Sequence, residues 1–442
     1  MFLVVLEGAL RKWVLPGLQA QIYFAKDIIL IIAYILFLFS RSSPGAHLRV
    51  LGPFKILLGL TLAYFTLLLV NPESPSLLVS VLGFKNYFLY VPLIFVVPYM
   101  FVSAEDLERK LRIYVILMVP FVALGLVQFA LPPTHWINGY LSHDDTENLK
   151  MGATFGSGIT SSVRSIGTFS YIGGYSAFLT VMFYLGVGLI AKSRWRISGN
   201  LWLFAFLVIT VAAMFTTGSR GPIWGLIATW PLVLCIWGFA GLLSMSNAGK
   251  TILAAALLWA LAQLVAGDAF EAYSYRAEVA GDTMERVLAP LIQVYWAMQV
   301  SGPIGIGMGS TSAGALTIMR TTEFWWLTNS FEVETARVLH ETGILGFILV
   351  YAARVWLLVK AIGLSVHFKN PLYIGLSGVI AGLFMQDLIG FVVNNATLGI
   401  YHWFAAGLLF AMYRLEAAEA ARKQEWSQRA YGRVAGYRRM NA

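Results

Sequence analysis

Apolar runs of about twenty residues recur along the chain, and they constrain its fold more than any other feature. Residues 112–131 hold one ionisable side chain, Arg112, and residues 21–40 hold two, Lys26 and Asp27. In a helix, roughly twenty residues reach across the ~30 Å hydrocarbon layer of a bilayer. The runs are continuous rather than alternating at every second residue, which argues against a β-barrel. Composition agrees: 58% of the 442 residues are apolar, 12% are Asp, Glu, Lys or Arg, and the mean hydropathy is +0.72. A soluble domain carries about twice that share of charge. The fold class predicted is an all-α polytopic membrane protein of about 11–12 transmembrane helices.

The spans are placed near residues 1–16 (short for a crossing), 21–40, 51–70, 78–101, 112–131, 170–191, 199–217, 222–241, 250–267, 337–360, 372–391 and 396–413. They predict one transmembrane domain over 1–413, with long loops at about 132–169 and 268–336, and a basic tail over 414–442. The second loop lies between spans nine and ten and contains a helix-like stretch, Met284–Val300. Basic residues cluster in alternate connections: Arg41 and Arg49, Arg109, Lys110 and Arg112, Lys192, Arg194 and Arg196, Lys250, Lys360 and Lys369. The tail adds Arg422, Lys423, Arg429, Arg433, Arg438 and Arg439. The positive-inside rule puts these on the cytoplasmic side, with both termini inside and the long loops outside. It also accounts for the formal charge of +9 without nucleic acid as a partner; the bilayer is the partner these features imply. Glu7, Arg11 and Lys12 interrupt the first apolar run, so no cleavable signal is expected. The one cysteine, Cys235, reads as core.

Ionisable groups near the hydrocarbon cost at least a few kcal/mol and mark function when they gather. Arg11, Lys12, Lys26, Lys85, Arg164 and Arg220 all fall at the outer level of this topology. Each has a structural alternative: Lys26 can pair with Asp27 or Glu7, and Lys85 can snorkel. As a set they predict an anion site, phosphate or pyrophosphate above all. A second cluster precedes span ten: Glu332, Glu334, Arg337, His340 and Glu341. In a helix, Glu334, Arg337 and Glu341 share a face, with Glu332 and His340 on a neighbouring one. A carboxylate there can serve as a general base for a sugar hydroxyl, Glu332 first and Glu334 second; the alternative is an Arg337 salt bridge that anchors the helix. Gly343 and Gly346 suit close helix packing. Pro303–Ser310 is glycine-rich but follows no strand, which fits irregular backbone at membrane depth better than a nucleotide loop. His143, Asp144 and Asp145 read as a solvated loop, so no metal is expected. Asp387, Asn394 and Asn395 are candidates for sugar contacts.

Four of these pieces, in this order, resemble the O-antigen ligase and O-antigen polymerase (Wzy-type) family of bacterial membrane glycosyltransferases: Arg164-Ser-Ile-Gly167-Thr-Phe169, Thr217-Gly-Ser-Arg220-Gly221, Pro303–Ser310, and Glu341-Thr-Gly343-Ile-Leu-Gly346. The N-terminal Glu7–Pro16 stretch with Lys26-Asp27 resembles an exopolysaccharide-associated subgroup. The resemblance implies a GT-C-like architecture of about twelve spans in the bacterial inner membrane, with the large periplasmic loop between spans nine and ten. It implies an inverting, metal-independent and cofactor-free transfer. The donor is an undecaprenyl-pyrophosphate-linked oligosaccharide and the acceptor a glycan hydroxyl; polysaccharide export or chain-length proteins are further partners. Arg164 and Arg220 match the family's pyrophosphate-holding arginines. Where the ligase pattern has a histidine, counting back from Gly343 reaches Glu332, and His340 lies eight residues later. That departure favours a polymerase or an exopolysaccharide-specific relative. The other classes compatible with the sequence are a polysaccharide flippase and a non-catalytic subunit of an export complex.

Overall fold

The computed structural model describes residues 1–40, 50–139, 153–155, 162–193, 200–279, 283–319 and 331–440. Arg41, Arg49, His143, Asp144, Asp145, Arg194 and Arg196 lie outside them, as do the side chains of Lys250, Arg429, Arg433, Arg438 and Arg439. Among the described residues seven helices are long and apolar enough to cross a membrane: Gln21–Phe39, Leu77–Met100, Ala104–Ala130, Ile172–Ala191, Arg220–Phe239, Glu334–His367 and Ala396–Gln424. The pair Leu253–Val265 and Gly267–Tyr275, bent by 98°, is either an eighth, broken span or a re-entrant loop. The chain is a multi-pass helical membrane protein.

The remaining spans expected from the sequence are shorter elements. Gly52–Leu68 has 17 residues, Leu201–Thr216 has 16 and Pro371–Asp387 has 17. Phe2–Ala9 continues only through a π-turn over Leu10–Val14, about 20 Å of helix at the usual rise, too short to cross. The ends follow from local chemistry. Ser76 and Ser103 each accept a backbone N–H from the first turn of the helix they start, the N-cap role of serine. Asn370 does the same before Pro371. The last helix runs unbroken from Ala396 to Met440, passing through position 413, where the sequence suggests a boundary with the tail. The predicted helix at Met284–Val300 is present as Thr283–Val300. Two-residue strands, Thr154–Phe155 and Ser162–Val163, pair antiparallel in the first long loop.

Ile172–Ala191 forms the centre of the bundle, most of its side chains buried. Pro371–Asp387 packs against it and against Arg220–Phe239 through a ridge of small residues. A Cβ on Gly375 would meet Gly188 O, and one on Gly378 would meet the Trp237 ring. Small residues let helix backbones approach where lipid supplies no hydrophobic drive. Cys235 is exposed on Arg220–Phe239 rather than in the core. An apolar run does not distinguish the face turned to protein from the face turned to lipid.

The Glu334–His367 helix breaks at Gly343, whose φ is +67° and ψ −176°. Its positive φ is a conformation that favours glycine, so Gly343 serves the break rather than a helix-packing stripe. The break frees carbonyls, and the glycine-rich loop satisfies them: Ile306 N donates to His340 O at 2.9 Å and Gly307 N to Glu341 O at 3.2 Å. The irregular backbone predicted over Pro303–Ser310 is thus the partner of a broken helix.

Candidate functional site

At the end of the bundle where Ile172–Ala191 and Arg220–Phe239 begin, a cavity of about 450 Å³ opens between four segments. Its walls are Tyr171–Thr180, the Ser219–Pro222 turn, Arg337, and the stretch from Leu383 through Leu398. Ser176, Thr180, Ser219, Arg337, Gln386, Asp387, Asn394 and Asn395 bring polar side chains to a wall whose surface is mostly apolar. Three of its polar atoms, Ser176 Oγ and both side-chain heteroatoms of Asn394, are buried without a hydrogen-bond partner. Buried polar atoms are normally satisfied, so these three stand out behind the cavity wall.

The turn at the cavity edge is built by the two arginine motifs together. Gly218, with φ +58°, lies against the Phe155 ring. Thr217 Oγ1 accepts Ser219 N at 3.0 Å, and Arg164 Nε donates to Thr217 O at 2.9 Å. Arg164 therefore grips the turn that carries Arg220, and Arg220 begins the helix whose N-terminal end favours anions. The rest of the first motif is scaffold. Gln128, fully buried, accepts from Ile166 N and Gly167 N at 3.1 and 2.7 Å and donates to Gly167 O at 3.1 Å. Ser165 Oγ donates to Gly125 O at 2.6 Å.

The other four cations of the predicted anion set have partners within the protein. Lys26 pairs with Glu7 at 2.8 Å and Arg11 with the same carboxylate at 3.1 Å. Lys85 pairs with Asp27 at 2.6 Å, which also accepts from Tyr90. Lys12 donates to Gly167 O and Phe169 O at 2.8 and 2.9 Å, and Arg11 to Ser170 Oγ at 3.2 Å. None of the four lines the cavity; instead Arg11 and Lys12 fasten the N-terminal segment to the stretch that leads into its wall, and Lys26 and Lys85 tie that segment's own helices together and to Leu77–Phe88. Burial explains these bonds, since an unpaired charge there would be costly: acids serve Arg11, Lys26 and Lys85, and backbone carbonyls serve Lys12.

The acidic cluster also divides. Glu334 Oε1 accepts from Arg354 Nη2 and from Val392 N at 2.9 Å. Its Oε2 accepts from Val393 N at 3.0 Å and Asn394 N at 3.1 Å. Four bonds fill the four lone-pair sites of a carboxylate, so Glu334 holds the fold and has no site free to take a proton. Glu341 accepts from Thr311 N, Thr311 Oγ1 and Tyr87 OH at 3.0, 2.7 and 2.9 Å. Arg337, from the same helical face, reaches Phe331 O at 2.7 Å and Thr311 O at 3.1 Å rather than acting as a simple salt-bridge anchor. His340 Nδ1 meets Ser301 Oγ at 2.7 Å, away from Glu332. Glu332 is exposed just before the helix and lines no part of the cavity.

Of the sequence candidates, the cavity therefore gathers Arg337, Asp387, Asn394 and Asn395, with Arg220 next to its lining residues. Sequence reasoning passed over Ser176, Thr180 and Gln386, and also Arg354 and His402 nearby. Arg354 and His402 carry the clearest signal, ionisable side chains inside apolar runs. Among the described residues no group of His, Cys, Asp and Glu could hold a metal ion. No family model matches the chain, and no curated protein matches it.

Proposed function

We propose that the protein transfers a glycan from a polyprenyl-diphosphate carrier to a sugar hydroxyl at the outer face of the bacterial inner membrane, extending or ligating an O-antigen or exopolysaccharide. The observation that carries this is the gathering of polar side chains from four segments at one cavity. Its size suits one or two sugar rings. Its polar side chains, Thr180, Ser219, Gln386 and Asn395 among them, match ligand hydroxyls better than a hydrocarbon chain. Arg337 on the wall and Arg220 at the adjoining turn supply cations for the diphosphate, and Arg164 holds that turn in place. Both termini are cytoplasmic in this orientation, and no metal is needed for departure of the diphosphate.

Charge reversal tests the assignment. Arg220→Glu and Arg337→Glu, reconstituted in liposomes with a lipid-linked oligosaccharide, each lose transfer roughly 100-fold or more, the usual scale for removing a group that stabilises developing negative charge. Full activity in both would overturn it. A second reading, a translocator of the same glycan, draws on the buried Glu334–Arg354 and Asp387–His402 pairs adjoining the cavity wall, since ionisable pairs within a bundle also mark transport paths. New glycosidic bonds in the product support transfer; intact donor moved across the bilayer supports translocation.

A further inference from the structure

Two buried acid pairs adjoin the cavity wall, one through Asp387 and one through Asn394, and they differ in one respect. Glu334 is saturated, as described above. Asp387 is not. Its Oδ2 meets His402 Nδ1 at 2.7 Å, while Oδ1 lies beside Gly390, another residue of the cavity wall. Both partners are 1% exposed. Arg354 Nη1 donates to the Asp387 backbone carbonyl at 3.0 Å and so fixes the end of the helix that carries it. The His402 ring is held between Phe384 and Trp403, at centroid distances of 4.9 and 5.1 Å.

His402 Nε2 supplies the second observation. It is buried without a hydrogen-bond partner, and His402 lines a separate small cavity of about 50 Å³ with Thr61, Asn86 and Arg354. That volume exceeds the roughly 10–15 Å³ one water requires. A purely structural pair would be expected to fill its remaining sites, as Glu334 does. This one leaves a carboxylate oxygen beside the wall of the large cavity and an imidazole nitrogen with no hydrogen-bond partner.

We propose that Asp387, positioned by His402, is the proton acceptor of the cavity, in place of the loop carboxylate Glu332. The inference rests on the glycosyl-transfer reading. With Nδ1–H donated to Oδ2, His402 fixes the orientation of the carboxylate and leaves Oδ1 to the acceptor sugar. As the acceptor hydroxyl oxygen bonds to the anomeric carbon, its proton passes to Asp387 Oδ1. The bond from that carbon to the diphosphate oxygen breaks, and its electron pair leaves with the diphosphate. The proton then returns to water through the open cavity. The charged and titratable groups facing the pair are Arg354, Tyr184 on Ile172–Ala191, Arg337 across the cavity, and Glu334 through Arg354.

The test is steady-state transfer by the full chain in liposomes with a lipid-linked repeat unit. Asp387→Asn lowers kcat by about 100-fold or more, the range of a lost general base, and leaves the donor KM within about twofold. His402→Asn, which keeps a side-chain N–H donor, retains more activity than His402→Phe and shifts the acidic limb of the pH–rate profile. Near wild-type kcat in a folded Asp387→Asn overturns the proposal, and a large loss in Glu332→Gln beside it returns the role to the loop. Should Asp387→Asn not fold, an unchanged pH–rate profile in His402→Asn overturns it equally. Active Asp387→Asn with inactive Arg337→Glu removes only the proton acceptor. A wild-type protein that forms no glycosidic bond from any lipid-linked donor removes the glycosyl-transfer reading and this inference with it.

Discussion

At the scale of single residues, one uncharged side chain carries as much of the site as the arginines do. Gln128 sits with no exposed surface where the Ala104–Ala130 helix meets the Arg164–Phe169 segment. Its four hydrogen bonds join Ile166, Gly167 and Ile137. Leucine has nearly the same volume but would leave two N–H groups and the Ile137 carbonyl unpaired, each costing about 1–3 kcal/mol when buried; Gly167 O keeps its bond from Lys12. Gln128→Leu should therefore destabilise the protein by about 3 kcal/mol or more, read as thermal unfolding in detergent, and should lower transfer by loosening the turn that Arg164 grips. An effect below about 1 kcal/mol would show that water replaces the amide.

At the scale of elements, the break at Gly343 separates two glycines of one helix by what surrounds them. A Cβ on Gly343 would lie 2.1 Å from Pro303 O at a φ of +67°, whereas one on Gly363 would meet nothing within 4 Å. Gly343→Ala should destabilise by at least about 2 kcal/mol through backbone strain and the clash, and Gly363→Ala should be neutral or stabilising by up to about 1 kcal/mol. Equal unfolding temperatures for the two variants would contradict the break. This element also shows what the sequence made legible. Apolar runs located the long helices, and glycine spacing marked Pro303–Ser310 as irregular. The break stayed hidden because Glu341-Thr-Gly343-Ile-Leu-Gly346 suits a continuous helix equally well. The charges were visible, but their partners were not: Lys85 with Asp27 and Glu334 with Arg354 are joined by the fold across 58 and 20 residues of chain. Polar residues such as Ser176 and Gln386 entered the site only when four distant segments met.

At the scale of the whole molecule, the cavity predicts a variant that separates function from stability. Gly221 lines it, and a Cβ there would approach only Ser219 Oγ, at 4.0 Å. Gly221→Leu should leave the unfolding temperature unchanged or slightly higher, because glycine is a poor helix residue, and should block donor binding by occupying the cavity. Unimpaired binding in this variant would place the ligand elsewhere. Assembly of that cavity has an order in time. Glu334 leaves the ribosome 20 residues before Arg354 and about 60 before Asn394, yet its carboxylate needs all of them to enter the bundle. Until they arrive it is a bare charge that hydrocarbon rejects, so it waits at the water interface. A nascent chain stopped before Val392 should expose Glu334 to aqueous chemical labelling, and one released after Asn395 should protect it. The wall of the cavity closes only once Val392, Val393 and Asn394 have been made.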